Sequence, residues 1–234
     1  MSADEPGGER RLRLPSAPVD VSGFREHPAP QAPQSSAPNP APAQRAVPED
    51  AVISAARSRA RRMAGLPSPA VGAFLAWTSA TAQARAVIEV GSAGGLTGLW
   101  LLKGMVPRSV LTSIDSDPQA QKLAARAYEE GSVTSRIRAI LGDALEVLPR
   151  LSDGSYDLLV LQSVGADYPR YVEHALRLLR PGGVLLARQL SEGSPGELRA
   201  RREFVKALNE DERLVTAVLP LDSGVAAATV LATR

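Results

Sequence analysis

From about residue 69 to the end of the chain, two kinds of segment alternate, and they differ in the spacing of their hydrophobic residues. Short apolar runs rich in valine, isoleucine and leucine predict buried strands, and longer stretches with apolar residues three and four apart predict helices. Strands are expected at Ala86–Val90, Ser109–Asp115, Ile137–Leu141, Tyr156–Leu161 and Gly183–Arg188. Helices are expected at about 95–104, 118–130, 143–150, 169–180 and 195–209. This alternation predicts an α/β protein with a doubly wound, mostly parallel sheet.

The last segment of the chain departs from this alternation. LVTAVLPLDSGVAAATVLAT contains two strand-like runs joined by the turn residues 221–224. Two strands joined by so short a turn form a hairpin, so the last strand is expected to be antiparallel to the others and to complete a seven-stranded, Rossmann-like sheet. Upstream, Pro48, Glu49 and Asp50 predict the start of a helix that continues through Met63. Ser68 is expected to cap a second helix, which runs to about residue 82.

The first 48 residues differ in composition from the rest of the chain. They hold ten of the 19 prolines together with many alanines, serines and glutamines. Such a segment has too little apolar surface to offset the entropy lost on ordering. We therefore expect a disordered Pro/Ala-rich tail over residues 1–48 and one folded domain over residues 49–234.

Charge and cysteine content limit the classes of protein to which this chain belongs. The formal net charge is only +2, which gives no basis for binding nucleic acid through bulk charge. The chain has no cysteine, so disulfides and thiolate metal sites are excluded. Its N-terminus lacks the apolar core of a signal peptide, and no apolar run reaches the length of about 18 residues that spans a membrane. We expect a soluble, cytoplasmic protein that binds neither nucleic acid nor membrane.

The segment AVIEVGSAGGLTGLW, residues 86–100, combines a buried strand, a glycine-rich turn and the start of a helix. Glycines let a ligand approach the backbone, and the helix N-terminus presents free amide groups, so this order predicts a nucleotide-type site. The dinucleotide fingerprint GxGxxG would need glycine where the chain has Ala93 and Leu96, which argues against a dehydrogenase. A turn that binds nothing is the simpler alternative.

Two further acids follow predicted strands. In an open α/β sheet the ligand binds beyond the carboxyl ends of the strands. Asp115 ends the second strand, where its carboxylate could accept both hydroxyls of a ribose, and Asp143 follows the third, where it could accept from an adenine amino group. The alternative is that each aspartate only caps the next helix. Acids after several strands together favour a site.

From about Ser68 to the C-terminus the chain resembles the catechol and caffeoyl-CoA O-methyltransferase-like family, small class I enzymes that use S-adenosylmethionine. The segments that carry the resemblance are VIEVGSAGGLTGLWLL, LTSIDSDPQAQKLAARAY, GDALEVLPRL, YDLLVL, YVEHALRLLRPGGVLLA and LPLDSGVAAA. The resemblance implies S-adenosylmethionine as cofactor and a small-molecule acceptor. Because small relatives are often dimers, it also makes a homodimer an expectation.

The resemblance also implies a set of cofactor-binding residues. Positions along the methionine and ribose side of the cofactor match Glu89, Gly91, Ser92 and Thr97. Asp115 would hold the ribose hydroxyls and Asp143 the adenine end. Pro67 would lie near the methionine carboxylate, and Gln162 would end the fourth strand beside the cofactor.

The chain departs from the metal-dependent members of that family. They end the fourth strand in aspartate, place a lysine base soon after, and end the fifth strand in Asp-Asn. Here the corresponding residues are Gln162, Gly165, Arg188 and Gln189. Magnesium and calcium need several anionic or carbonyl oxygens, and an arginine offers only donors. No divalent metal is therefore expected.

Two functions follow from this departure. The first is a metal-independent O-methyltransferase in which Arg188 supplies positive charge to a phenol-like or carboxylate acceptor, with Asp167, Tyr168 and His174 as candidate bases. His174, on the helix expected at 169–180, is more simply explained as a core or surface residue. The second is a non-catalytic protein that keeps cofactor binding or only the fold, acts through a partner, and holds Arg188 in a structural salt bridge.

Overall fold

The computed structural model describes residues 47–162, 167 and 170–232. Its strands are β1 (Ala86–Val90), β2 (Val110–Asp115), β3 (Ile137–Leu141), β4 (Tyr156–Leu161), β5 (Leu179–Arg188), β6 (Leu214–Leu219) and β7 (Val225–Val230). They form one sheet in the order β3-β2-β1-β4-β5-β7-β6. The first five strands are parallel, and β7 is antiparallel to β5 and β6. The predicted seven-stranded sheet with an antiparallel C-terminal strand is confirmed.

Seven α-helices are found within the described residues. They are α1 (Ala51–Ala60), α2 (Pro69–Thr81), α3 (Leu96–Gly104), α4 (Pro118–Glu130), α5 (Ala144–Val147), α6 (Arg170–Leu178) and α7 (Pro195–Glu210). A membrane-crossing helix would have to be longer and more apolar than any helix in this part of the chain. The predicted tail lies almost entirely outside the described residues, so its disorder and its boundary stay predictions.

The ends predicted for two helices were wrong, whereas the start predicted for the first helix is close to the observed one. The first helix begins at Ala51, because Asp50 is its N-cap and accepts a hydrogen bond from the amide of Ile53 at 2.9 Å. That helix ends at Ala60 and does not reach Met63. The helix predicted to end at residue 180 stops two residues earlier, because Leu179 already pairs with Tyr156 on β4. Strand pairing therefore outweighs the helical pattern at this junction.

The sheet divides the core into two layers. In β1, Ile88 and Val90 face the layer that contains α5, α6 and α7, whereas Val87 faces the layer that contains α1, α2, α3 and α4. Side chains alternate between the two faces of a strand. Glu89 therefore points into the second apolar layer. A carboxyl group at the centre of a parallel sheet needs a specific reason, because burial penalises its charge.

Gly95 lets α4 pack against the turn that follows β1. Its φ is +87°, and a Cβ added there would lie 2.9 Å from both the Cα of Ala124 and the Cβ of Ala127. We expect Gly95→Ala to lower the free energy of unfolding by about 2–4 kcal/mol, because backbone strain adds to overpacking. Urea denaturation measures this loss. The control is Gly154→Ala, where φ is +58° and no atom lies within 4 Å. Equal losses in the two variants would contradict the packing role of Gly95.

Candidate functional site

A cleft lies where the strand order reverses. Chain connections run in opposite directions from β1, toward β2 on one side and toward β4 on the other, which is the usual place for a ligand in such a sheet. One part of the cleft lies at the ends of the first three strands, and its walls include Gly91, Asp115, Gly142, Asp143 and Tyr171. A second part is lined by Met63, Gly65, Gly91, Ala93, Asp115 and Gln162. The predicted positions Gly91, Asp115, Asp143 and Gln162 are thus brought together.

The glycines of the turn after β1 have different roles. Gly91 has φ +83° and lines the cleft, and its amide donates to the carbonyl of Ile114 at 2.8 Å. By contrast, a Cβ at Gly94 would lie 3.1 Å from the Cβ of Ala60, and Gly95 faces α4. Gly94 and Gly95 therefore allow helices to pack closely, whereas Gly91 adds no side chain to the wall of the cleft.

Asp115 ties the glycine turn to the end of β2. Its Oδ2 accepts from the amide of Ser92 at 2.8 Å and from the Ser92 hydroxyl at 2.7 Å, and its Oδ1 accepts from the amide of Asp117 at 3.0 Å. The N-cap of α4 is Asp117 and not Asp115. A carboxylate has about four acceptor positions, so one stays open toward a ribose hydroxyl. Accepting both hydroxyls requires the Ser92 hydroxyl to rotate away.

The position of Asp143 is compatible with both alternatives considered from the sequence, a helix cap and a ligand contact. It is exposed, it caps α5 by accepting from the amide of Leu145 at 2.7 Å, and it lines the cleft. The half-buried Tyr171 lines the same part of the cleft. Burial raises the pKa of Tyr171 to about 12, and the charges of Asp143 and Asp167 add to the rise. Sequence reasoning missed Tyr171, whose signal was its position in the first turn of the helix after β4.

Glu89 is fully buried beneath the turn. The Tyr128 hydroxyl donates to its Oε2 at 3.4 Å, and Gly98 on α3 leaves the space that this hydroxyl occupies. Burial raises the pKa of Glu89 to about 8, and the charge of Asp115 adds to the rise. At neutral pH the free protein therefore holds Glu89 mostly protonated. Tyr128 was not predicted from the sequence, because only the packing of α4 brings it to β1.

Buried polar atoms without partners test whether this region fits S-adenosylmethionine. Glu89 Oε1, Thr97 Oγ1 and Gln162 Nε2 are buried and have no hydrogen-bond partner among the described residues. Such atoms are rare in folded proteins and call for a water or a ligand. An acceptor, a hydroxyl and an amide donor are the groups that an amino acid's ammonium and carboxylate require. The donor set therefore fits the methionine end of the cofactor.

Arg188 and Asp222 connect the end of β5 to two loops. The Arg188 side chain is 2% exposed; its Nη2 donates to Asp222 Oδ2 at 3.1 Å, and its Nη1 donates to the carbonyl of Gly65 at 3.2 Å and to Gln162 Oε1. Asp222 Oδ2 also accepts from the amide of Ser68 at 2.9 Å. The predicted Pro67 is buried inside the loop that these bonds hold. Asp222 was not predicted as a site residue, because its partners are distant in sequence.

Asp167 and His174 are the candidate bases that lie within the described residues. Asp167 is exposed, lies 3.8 Å from the guanidinium of Arg170, and lines the cleft beside Asp143. His174 is half-buried on α6, and burial lowers its pKa. Tyr168 and Gly165 lie outside the described residues, so the predictions made for them stay predictions.

Known proteins share this fold and sequence pattern. A sequence profile described as O-methyltransferase matches residues 50–231. A protein of Mycolicibacterium vanbaalenii that is named as an O-methyltransferase is 43% identical over 196 residues, which cover 80% of this chain and 87% of that protein. A protein of Mycobacteroides abscessus with the same name is 43% identical over 197 residues, covering 80% and 92% of the two chains.

Solved structures share the fold of this chain. A Corynebacterium glutamicum protein has a TM-score of 0.74 and 28% identity, covering 82% of this chain and 94% of its own. The O-methyltransferase TomG from Streptomyces achromogenes, solved with S-adenosylmethionine, has a TM-score of 0.73 and 23% identity, covering 80% of this chain and 92% of its own; it shows the fold alone. The chain belongs to the O-methyltransferase family. The predicted class, an S-adenosylmethionine-dependent O-methyltransferase, is confirmed.

Proposed function

We propose that this O-methyltransferase acts without a divalent metal on a small phenol-like or carboxylate acceptor. The observation that carries the proposal is the buried guanidinium of Arg188 in hydrogen-bond contact with Gln162, at the adjacent ends of β5 and β4. Those positions correspond to the metal aspartates of the metal-dependent relatives that the sequence resembles. A fixed cation and an amide therefore replace two anions.

The residues at these strand ends do not fit a metal ion. The side-chain oxygen of Gln162 already accepts from Arg188, and the positive charge of the guanidinium repels a second cation. Among the described residues, no three His, Cys, Asp or Glu side chains are grouped so that they could hold a metal ion. Magnesium and calcium would find neither the charge nor the number of oxygens that they need.

The cofactor is proposed to extend along the cleft from Gln162 to Asp143. Glu89 and Thr97 would bind the ammonium and carboxylate of its methionine part, Asp115 and Ser92 the ribose, and Asp143 with Tyr171 the adenine. When bound, S-adenosylmethionine would supply a methyl group to the acceptor oxygen: the sulfur–methyl bond would break with its electron pair left on sulfur, and a phenol acceptor would release its proton to water. The protein's part is to hold the acceptor oxygen in line with that bond, which alone contributes several kcal/mol, on the order of 7–11, in well-oriented systems.

The role of Arg188 is proposed to be electrostatic and organising. Its guanidinium is paired with Asp222, so it holds the loop around Gly65 against the turn after β6 and keeps positive charge beside the acceptor region. This charge would favour the ionised form of a phenol.

The absence of nucleic acid and membrane partners and the homodimer stay predictions.

The Arg188–Asp222 ion pair also favours a second candidate function. A non-catalytic protein that binds the cofactor and acts through a partner would hold Arg188 in such a structural salt bridge. The first proposal is preferred because the unpartnered atoms of Glu89, Thr97 and Gln162 keep a complete set of groups for the reactive end of the cofactor.

A chelator experiment tests the proposed function. We expect S-adenosylmethionine to bind in calorimetry with the same Kd in excess EDTA and in excess magnesium, because the strand ends lack anionic oxygens. A panel of phenols, catechols and hydroxybenzoates should then be methylated at a rate that neither reagent changes. Activity abolished by EDTA and restored by magnesium would contradict metal independence. Cofactor binding with no turnover on the whole panel would favour the non-catalytic function.

A further inference from the structure

Arg201 is a buried cation that the proposed cofactor site does not use. Arg201 lies on α7 and is 3% exposed. Its Nε and Nη1 have no hydrogen-bond partner among the described residues. No ion pair of its guanidinium is found within the same part of the chain, although the pKa of Glu197 is lowered by hydrogen bonds from Ser194 and also by the charge of Arg201. An arginine is always charged and presents five N–H donors, so burying it without acceptors is costly. An anionic ligand would provide the acceptors that this side chain lacks.

The guanidinium of Arg201 faces a pocket beside the cofactor cleft. Gln162, Gln189 and Gly193 line this pocket with Arg201. Ala64, Gly65 and Gln162 belong both to this pocket and to the part of the cleft that contains Gly91 and Asp115. A molecule bound beside Arg201 would therefore be the immediate neighbour of the methionine end of the cofactor, where the methyl acceptor must lie.

Gly193 leaves room for the guanidinium of Arg201 at the edge of this pocket. A Cβ at Gly193 would lie 3.0 Å from Arg201 Nη2 and 2.9 Å from Glu197 Oε2. The φ of Gly193 is +126°, a conformation that other residues rarely adopt. The backbone thus passes directly over the polar ends of Arg201 and Glu197 without covering them with a side chain.

The acids around Arg201 limit the charge that the pocket accepts. Glu197 also lines the pocket, but its Oε2 accepts from the amide and the hydroxyl of Ser194, each at 2.7 Å, in the capping box of α7. Glu192 contributes a second, exposed carboxylate. Two nearby negative charges repel a doubly charged phosphate more strongly than a singly charged group. A planar carboxylate, which matches the fork of a guanidinium, is the preferred anion.

We propose that Arg201 binds a carboxylate of the acceptor, so that the substrate is a small hydroxylated carboxylic acid methylated on its hydroxyl group. This assignment rests on the proposed function, since it places the acceptor next to the cofactor. Arg188 is already paired with Asp222, whereas Arg201 offers donors that no described residue uses. Arg201 is then the residue that selects acidic over neutral phenols.

Calorimetry with a matched pair of probes tests this proposal. 4-Hydroxybenzoate and its neutral counterpart 4-hydroxybenzamide are titrated into the full chain saturated with S-adenosylhomocysteine. We expect the carboxylate to bind about tenfold more tightly than the amide, the size of one or two charge-assisted hydrogen bonds. Arg201→Met should remove this preference by weakening only the carboxylate, and Arg201→Lys should keep part of it.

Arg202→Met is the control, because Arg202 is the exposed neighbour on the same helix. It should leave both affinities unchanged, and unchanged S-adenosylhomocysteine binding shows that each variant is folded. No preference in the unaltered chain, no binding of either probe in the millimolar range, or an equal loss in the two arginine variants would overturn the proposal. Failure of the proposed function is seen separately, as activity that needs magnesium or as cofactor binding without turnover on the acceptor panel, and neither of these outcomes depends on the carboxylate preference.

Discussion

Replacing Arg188 with methionine is expected to lower the free energy of unfolding by about 3 kcal/mol or more, because breaking a buried ion pair leaves uncompensated polar groups. The variant keeps the length of the side chain but removes the donors to Asp222, Gln162 and the carbonyl of Gly65. It also removes the bonds of Arg188 that help to hold the loop preceding α2 against the turn that follows β6, although the hydrogen bond from the Ser68 amide to Asp222 remains. Turnover should therefore fall together with stability.

Urea denaturation of two matched arginine variants measures the effect. Arg213→Met removes a guanidinium that is 64% exposed and pairs with Asp211 at 2.7 Å, so it should cost far less stability than Arg188→Met. Asp222→Asn added to Arg188→Met should recover part of the loss, because it removes the unpaired charge. A loss in Arg188→Met no larger than that in Arg213→Met would show that the buried pair contributes little.

Replacing Glu89 with glutamine is expected to weaken S-adenosylmethionine binding by about 10- to 100-fold, the size of a lost hydrogen bond between charged groups. Burial raises the pKa of Glu89 in the free protein to about 8. A bound ammonium favours the ionised carboxylate, so binding at neutral pH releases a proton. Affinity should rise as the pH rises toward 8 and then level off, whereas Glu89→Gln should show no such rise from this group.

Calorimetry in two buffers of different ionisation enthalpy measures the released proton. Glu129→Gln, which changes an exposed carboxylate on α4, is the control and should behave as the unaltered chain. In the free protein, Glu89 has the opposite effect, because its contribution to folding stability falls as the pH rises. Its pKa is higher in the folded state, so the stability that it contributes falls as the pH rises from 4.5 toward 8. Cofactor affinity independent of pH over this range would show that Glu89 does not bind the ammonium.

The sequence predicted the sheet and the grouping of three cleft residues because both depend on local patterns. Apolar runs of five or six residues and the glycine turn after β1 fix strands, and parallel strands bring their carboxyl ends to one edge. That rule alone was enough to bring Gly91, Asp115 and Asp143 together, as the cleft has them. Helix ends were less certain, because the junction at Leu179 depends on its pairing with β4.

The tertiary structure decided which polar side chains have partners, and no local pattern contains that information. Arg188 and Asp222 are 34 residues apart and Ser68 is 154 residues from Asp222, so their network exists only once β5, the last hairpin turn and the loop before α2 meet. The same holds for Tyr128, which reaches Glu89 across 39 residues. Arg201 reads in the sequence as one of several charged residues on a helix. Only the packing of α7 buries it at the edge of the acceptor pocket, where Gly193 leaves the space that its guanidinium occupies.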